Sequence, residues 1–390
     1  MVTIPEGRPT ACFVDLNALS WNFRQIRSKV GPHVKVLSMV KANGYGHGAT
    51  AVAKTLAVEG SDAFGVATAE EAIELRRAGI CTPILVLAGA YLDQVDQFFD
   101  NSLTPVIHAS TSLEELDATV HRRKKALNVH LKIDTGMGRI GLLAAEVDSW
   151  LPKIKKLKAL KIEGVFSHFS HAESVEGNYT RQQLRLFQSV VERLRAEGIA
   201  PSLVHLANSA ATITLPAAYF DMVRPGLMLY GIYPSAAMAS HMCLKPVLSW
   251  KTRILQLKKV PAGSSISYGQ TFVTKRESLI ATLPLGYADG YSRLLSNRGE
   301  VLVGGKRAKV AGRVCMDLTM IDVTDIKKTQ PGDEVVLLGR QGDAEISADE
   351  MAAWANTISY EILTSISNRV PRIHYNTQED YQQWAGFKEP

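Results

Sequence analysis

Lys41 follows the apolar run Val34-Lys-Val-Leu-Ser-Met-Val40 and opens the stretch Ala42-Asn-Gly-Tyr-Gly-His-Gly48. A short Val/Leu-rich run bounded by glycines predicts a buried strand with a tight loop above its end. A lysine carried out of a core in this way loses hydration, and its pKa falls towards neutrality. Such an amine can form a Schiff base with an aldehyde cofactor. For this residue alone the alternative is a lysine that ends a strand and points into water. Other runs end in a similar way. One leads into Lys132-Ile-Asp-Thr-Gly-Met-Gly-Arg139, with two glycines and an arginine. Two more lead into Ser167-His-Phe-Ser-His171 and His205-Leu-Ala-Asn-Ser209, and the last run contains Arg224-Pro-Gly226, followed by Tyr230-Gly-Ile-Tyr233. Polar groups beside glycines can bind an anion through backbone amides and a helix N-terminus. Taken singly, each has a plainer use. His168 could be hydrogen-bonded in the interior, Ser209 could cap a helix, Gly136 and Gly138 could turn the chain, and Arg224 could form an ion pair. Their shared address at strand ends favours a site.

The elements that must hold these residues follow from the same pattern. Between about residues 10 and 235, apolar runs at 35–40, 63–67, 83–87, 105–108, 129–133, 162–167, 203–206 and 222–229 alternate with amphipathic stretches such as 69–78, 112–125 and 182–197. Eight strands alternating with helices predict an α/β fold, a (β/α)8 barrel, whose chemistry gathers at the C-terminal strand ends. After Pro234 the texture changes to β-like runs at 247–260, 278–283, 300–303, 308–314, 318–323 and 334–338, with helical character returning at 347–367. The expected division is a cofactor-binding barrel over 1–240 and a mostly β domain over 241–390. The first ten or so residues are expected to pack on the second domain, and the polar last dozen to fray. No internal repeat or low-complexity tract is visible.

Composition narrows the class. The chain has 390 residues, 46% apolar and 21% charged, with a net charge of +6. That is ordinary for a globular protein of two domains. The basic stretches His121-Arg-Arg-Lys-Lys125 and Lys153-Ile-Lys-Lys-Leu-Lys158 read as solvated surface rather than a nucleic-acid footprint. The four cysteines, at 12, 81, 243 and 315, form no Cys-x-x-Cys pair, which argues against a zinc site or a disulfide framework and suits a reducing compartment; no metal is expected. Met1-Val-Thr-Ile-Pro-Glu6 has neither a basic nor an apolar signal region, and no apolar run is long enough to span a bilayer. A cytoplasmic location without membrane or nucleic-acid partners is expected.

Val40-Lys-Ala-Asn-Gly-Tyr-Gly-His-Gly48, Lys132-Ile-Asp-Thr-Gly-Met-Gly-Arg-Ile-Gly141, His205-Leu-Ala-Asn-Ser-Ala210 and Val223-Arg-Pro-Gly226 closely resemble the bacterial alanine racemases. So do Ser267-Tyr-Gly269, Gly286-Tyr-Ala-Asp-Gly-Tyr291, Gly312-Arg-Val-Cys-Met-Asp317 and Ile358-Ser-Tyr-Glu361. The resemblance implies a pyridoxal 5′-phosphate enzyme, a barrel plus β domain acting as a homodimer with shared sites. It would interconvert L- and D-alanine with two bases and supply D-alanine for peptidoglycan. By motif match, Lys41 would carry the cofactor and act as one base, and Tyr268 of the other subunit would be the second. Tyr45, Asn208, Ser209, Gly226, Leu227 and Tyr360 would bind the cofactor, His168 would stack on its ring, and Arg224 would face the ring nitrogen. Arg139 and the Met316 amide would bind the substrate carboxylate. Lys132 matches a lysine that is often carbamylated, and Glu173, Tyr287, Arg293, Arg313 and Ile358 match the path by which substrate arrives. Ser267, His171 and Ser359 depart from the family pattern. The alternatives are a racemase of broader or serine specificity, a decarboxylase of the same fold, and a cofactor-binding protein without catalysis. The decarboxylases' cysteine and glycine-rich phosphate motifs are not apparent.

Overall fold

The computed structural model describes residues 7–108, 113–173, 177–377 and 379–381. Ser112, the first residue of one expected helix, and most of the residues expected to fray or to pack at the two termini lie outside these. The chain divides into two compact units. Of the described residues, one unit contains those within Leu19–Gly44 and Ala49–Lys245; the other contains those up to Ala18, Tyr45–Gly48 and those from Pro246 onward.

The first unit is a closed barrel of eight parallel strands: β1 (Lys35–Met39), β2 (Ala63–Val66), β3 (Ile84–Val86), β4 (Leu103–Ile107), β5 (Leu127–Asp134), β6 (Leu160–Phe166), β7 (Leu203–His205) and β8 (Met222–Val223). Each pairs with its neighbour in sequence, and β8 closes on β1 with Met222 opposite Lys35 and Val223 opposite Val36. Both faces of such strands are covered, so they read as continuous apolar runs, which is why all eight are legible. The eighth is shorter than its apolar run. Pro225 has no N–H to continue a ladder, and from Leu227 to Tyr230 the chain is a 3-10 turn. Arg224 therefore follows the strand instead of lying within it. Helical segments such as Ala69–Arg77 and Asn178–Ala196 follow the strands. Ala69–Arg77 starts at a capping box, with Thr68 and Glu71 each satisfying the other's backbone N–H. Barrels of this kind are usually filled with Val, Ile and Leu. Here His130, Lys132, Ser167, His205 and Arg224 are also buried.

The second unit is built on a ten-stranded sheet. Its strands include Leu248–Arg253, Gln256–Val260, Ser278–Leu283, Glu300–Val303, Lys306–Val310, Thr319–Asp322 and Glu334–Gln341. Leu248–Arg253 alternates buried with half-buried residues, as a strand with one core face must. Several strands lie outside the expected runs, among them Ala344–Ile346, Ala11–Asp15 and Arg372–Tyr375; Ala11–Asp15 pairs antiparallel with Leu248–Arg253 and parallel with Arg372–Tyr375. The helical region is two helices, Ala348–Ala355 and Ser359–Ser365, separated where Asn356 adopts a left-handed conformation.

Candidate active site

Lys41 stands just beyond β1 at the start of an unusual turn. Ala42, Asn43, Gly44 and Tyr45 all have φ between 51° and 61°, so the chain winds left-handed for four residues in succession. For L-residues this costs about 1–2 kcal/mol each, with asparagine and glycine the cheaper members. Three hydrogen bonds hold the turn. The Gly44 N–H donates to Val40 O at 2.8 Å. The Ala49 N–H donates to Asn43 Oδ1 at 2.9 Å, and the Ala42 N–H donates to Glu71 Oε1 at 2.6 Å. The other Glu71 oxygen accepts from Ala67 N–H at 2.7 Å. One carboxylate thus ties the turn carrying Lys41 to the end of the next strand. Lys41 is half-buried, and its pKa is lowered by burial and then by Arg139, with Glu71 opposing.

Around Lys41 the barrel rim is strongly cationic. Lys132 is buried at the end of β5, its amine 4.6 Å from the centre of the Phe166 ring and without a hydrogen-bonding partner among the described residues. Burial, Arg224 and Arg139 together hold its pKa well below the ordinary value. Arg224 is buried beside it, 5.2 Å over the same ring. It donates to Ser167 O at 2.7 Å, Leu206 O at 3.0 Å, His168 Nδ1 at 3.2 Å and His205 Nδ1 at 3.0 Å. Burial and Arg139 pull it down to about 9, so it remains a cation at neutral pH. Burial and then Arg224 keep both His168 and His205 neutral there. The nearby carboxylates offset this charge only in part, and neither forms an ion pair with it among the described residues. Asp134 accepts from the N–H groups of Gly136, Met137 and Gly138, and Glu71 is committed to backbone N–H groups as well. A rim holding Lys41, Lys132, Arg139 and Arg224 suits an anionic ligand.

A second corner of the rim is neutral and rich in N–H groups. Asn208 caps the helix Ser209–Thr214 by accepting from Ala211 N–H at 3.1 Å. The Ser209 hydroxyl accepts from Gly226 N–H at 2.9 Å, and Leu227 begins the 3-10 turn after Gly226. Glu173 is exposed in the loop after β6.

The remaining expected residues belong to the other unit. Tyr45 is buried and packs on Tyr360, ring centres 6.0 Å apart; burial and Tyr360 raise its pKa. Tyr268 is 71% exposed on a 3-10 turn, preceded by Ser267 at φ 65°, whose hydroxyl donates to Arg313 O at 2.6 Å. Met316 is exposed, and its carbonyl accepts from Ala288 N–H at 3.0 Å. Gly286 permits that approach, since a Cβ there would lie 2.2 Å from Cys315 O. Tyr287 and Arg293 line a cavity of about 320 Å³ with Leu294, Thr357 and Glu361. Ile358 is exposed at the start of Ser359–Ser365.

Glu71 and His130 carry no site motif in the sequence. Thr68-x-x-Glu71 is a legible capping box, but its reach to Ala42 depends on two elements being side by side. His130 lies within an apolar strand and shows its use only through its partners.

Comparison with known proteins agrees with these features. Residues 14–234 match the model of the alanine racemase N-terminal domain, and residues 247–374 that of the C-terminal domain. An alanine racemase of Halothermothrix orenii is 47% identical over 369 residues, covering 95% of this chain and 97% of the relative. One of Carboxydothermus hydrogenoformans is also 47% identical, covering 94% and 100%. The crystal structure of alanine racemase from Bacillus anthracis with bound L-Ala-P superposes with a TM-score of 0.91 at 38% identity and 96% coverage of each chain. The chain belongs to the alanine racemase family.

Proposed function

We propose that this protein is a pyridoxal 5′-phosphate-dependent alanine racemase, interconverting L- and D-alanine. The observation that carries the reading is the cationic rim around a half-buried lysine whose pKa is lowered by burial and Arg139. Its residues fit that cofactor. Lys132 is a buried amine with no hydrogen-bonding partner among the described residues, and Glu71 and Asp134 are hydrogen-bonded to backbone N–H groups instead. When bound, pyridoxal phosphate makes the Cα proton of an attached amino acid acidic by drawing the electron pair into its ring.

The protein's own groups do the rest. Lys41 would hold the cofactor and take or return a proton at Nζ on one face. Near neutral pH this requires a lowered pKa, which burial and Arg139 provide. Ser209, Gly226, Leu227 and Asn208, with Tyr45 and Tyr360, would hold the phosphate. Arg224 has only donors to offer a ring nitrogen, so it would disfavour a proton there. His168, neutral and anchored by Arg224, would lie against the ring. Arg139 and the Met316 amide would hold the substrate carboxylate. A carbamate on Lys132 would replace a buried cation by an anion between two guanidiniums.

Tyr268 would serve as the second base, supplied by the other subunit of a homodimer. The second unit supports this by leaving the large apolar side chains Tyr268, Leu294, Met316 and Ile358 exposed. Glu173, Tyr287, Arg293, Arg313 and Ile358 would line the substrate's approach. The protein would act in the cytoplasm, supplying D-alanine for peptidoglycan. Among the described residues no helix is long and apolar enough to cross a membrane. The test is incubation with L- and D-alanine, serine and lysine in deuterated water, following Cα deuterium uptake and chirality. Rapid exchange with inversion on alanine is expected. Carbon dioxide release, or cofactor binding without exchange, would overturn the reading.

A further inference from the structure

Arg224 is the upper end of a chain of polar groups that runs down inside the barrel. Arg224 donates to His205 Nδ1 at 3.0 Å, and His205 Nε2 meets His130 Nδ1 at 2.8 Å. His130 Nε2 then lies 3.8 Å from the Glu163 carboxylate. Glu163 is influenced by Lys35, the first residue of β1, so the chain ends towards the N-terminal mouth, opposite the rim. Each link is built for its place. Gly164 makes room for the His130 ring, since a Cβ there would lie 2.4 Å from it, and the β5–β6 register shifts at Val129/His130. His205 stacks on Phe166, centres 4.7 Å apart and planes within 4°, which fixes how its two nitrogens point. Its ring is wholly buried.

The protons of this chain are set from its two ends: arginine has donors and no acceptor, and the ionised Glu163 carboxylate has acceptors and no donor. His205 Nδ1 must therefore be an acceptor, which places the His205 proton on Nε2. That proton is donated to His130 Nδ1, which places the His130 proton on Nε2, facing Glu163. By the same logic His168 accepts at Nδ1 and carries its proton on Nε2. Reversing the His130 tautomer would turn the His205 proton against Arg224, two donors face to face.

We propose that Glu163 is a positioning residue for the reaction: acting through His130 and His205 from the N-terminal side of the barrel, it fixes the hydrogen-bond polarity that orients Arg224 and His168 at the rim. The groups facing this chain are Glu163, Arg224 and His205 around His130, Lys132 beside His205, and Lys35 and Asn128 beside Glu163. Burial lowers the pKa of both chain histidines, which favours their neutral forms. The expected change in rate rests on the racemase reading; the expected tautomers do not.

The experiment uses the full chain, labelled with nitrogen-15 in its ten histidines and free of added cofactor. Long-range nitrogen–proton correlations report tautomers, with His130→Gln and His205→Gln assigning the signals. Both residues are expected to show Nε2–H in the wild type. Glu163→Ala shifts His130 to a mixture, and in the cofactor-loaded enzyme lowers kcat about fivefold with little change in KM, as for one member of a coupled network. Glu163→Gln, which keeps an acceptor, restores the tautomer and most of the rate. In a His130→Gln background, Glu163→Ala has no further effect. Glu163→Asn, which withdraws the acceptor, carries the same expectation as alanine should that variant not fold. Unchanged tautomers in Glu163→Ala, or an undiminished effect in the His130→Gln background, would overturn the proposal. A wild type with these tautomers but no exchange on alanine would instead count against the racemase reading.

Discussion

Replacing Glu71 by glutamine tests whether the left-handed turn is held from outside itself. The carboxylate accepts from Ala42 and Ala67 through different oxygens, at 2.6 and 2.7 Å. Glutamine keeps one of these acceptors and presents an amide donor to the other N–H. A hydrogen bond to a charged group is worth about 1.5–3 kcal/mol, and because the Ala42 N–H is exposed and the Ala67 N–H half-buried, water replaces part of what the lost acceptor supplied. The strain at Ala42 adds nothing by itself, but it is released if the turn unwinds, which limits the total to about 2–4 kcal/mol. For a unit of this size that corresponds to a fall in Tm of about 5–10 °C. Thr68→Ala is the control, because it removes the other half of the capping box and costs about 1 kcal/mol without touching Ala42. Calorimetry gives the Tm. Hydrogen exchange then locates the change, and the Ala42 and Gly44 amides should lose protection ahead of those in β5 and β6. Racemisation should slow, because Lys41 rides on this turn. If Glu71→Gln melts like Thr68→Ala with Ala42 still protected, the turn is self-sufficient and the reasoning fails.

Three other outcomes are expected. Mixing Lys41→Ala with Tyr268→Ala should restore racemisation through hybrid dimers holding one intact site, and no recovery after confirmed subunit exchange would refute the shared site. Carbon-13 bicarbonate should label Lys132 as a carbamate visible by NMR and lost in Lys132→Ala; an unmodified, fully active Lys132 would end that assignment. Burial depresses the folded-state pKa of His168 and His205, so below the ordinary histidine value of about 6.5 the unfolded chain binds more protons and stability falls with pH. His205→Asn should flatten this slope in unfolding titrations between about pH 6.5 and 5, and an unchanged slope would place the cause elsewhere.

How far the sequence can be read depends on the range of the interaction involved. All eight barrel strands are marked by local apolar runs, and Lys41, Arg139, His168 and Arg224 by the polar residues that end or follow them. Arg224-Pro-Gly226 also contains the reason β8 stops early, since Pro225 cannot continue the ladder. The pairing of Ala11–Asp15 with Arg372–Tyr375 joins segments at opposite ends of the chain, and no local period records that partnership. Asn43-Gly44 predicts a turn, but four left-handed residues in succession need Glu71 and Ala49 to be in place. His130 reads as one polar residue in an apolar strand. Its meaning comes from Gly164 and His205, which only the closed barrel brings beside it.

The two-residue strand that closes the barrel has a mechanical consequence. Met222 and Val223 form the seam with β1, reinforced just beyond it by Met39 N–H donating to Pro225 O at 3.0 Å and by the Tyr230 hydroxyl on Met39 O at 2.9 Å. Lys41 leaves one lip of this seam, while Arg224 and Gly226 leave the other. A ligand clasped by both lips would be a rivet across a two-residue join in the cylinder, and its binding energy would become resistance to unzipping there by mass action. Loading the site and fastening the barrel are then one event.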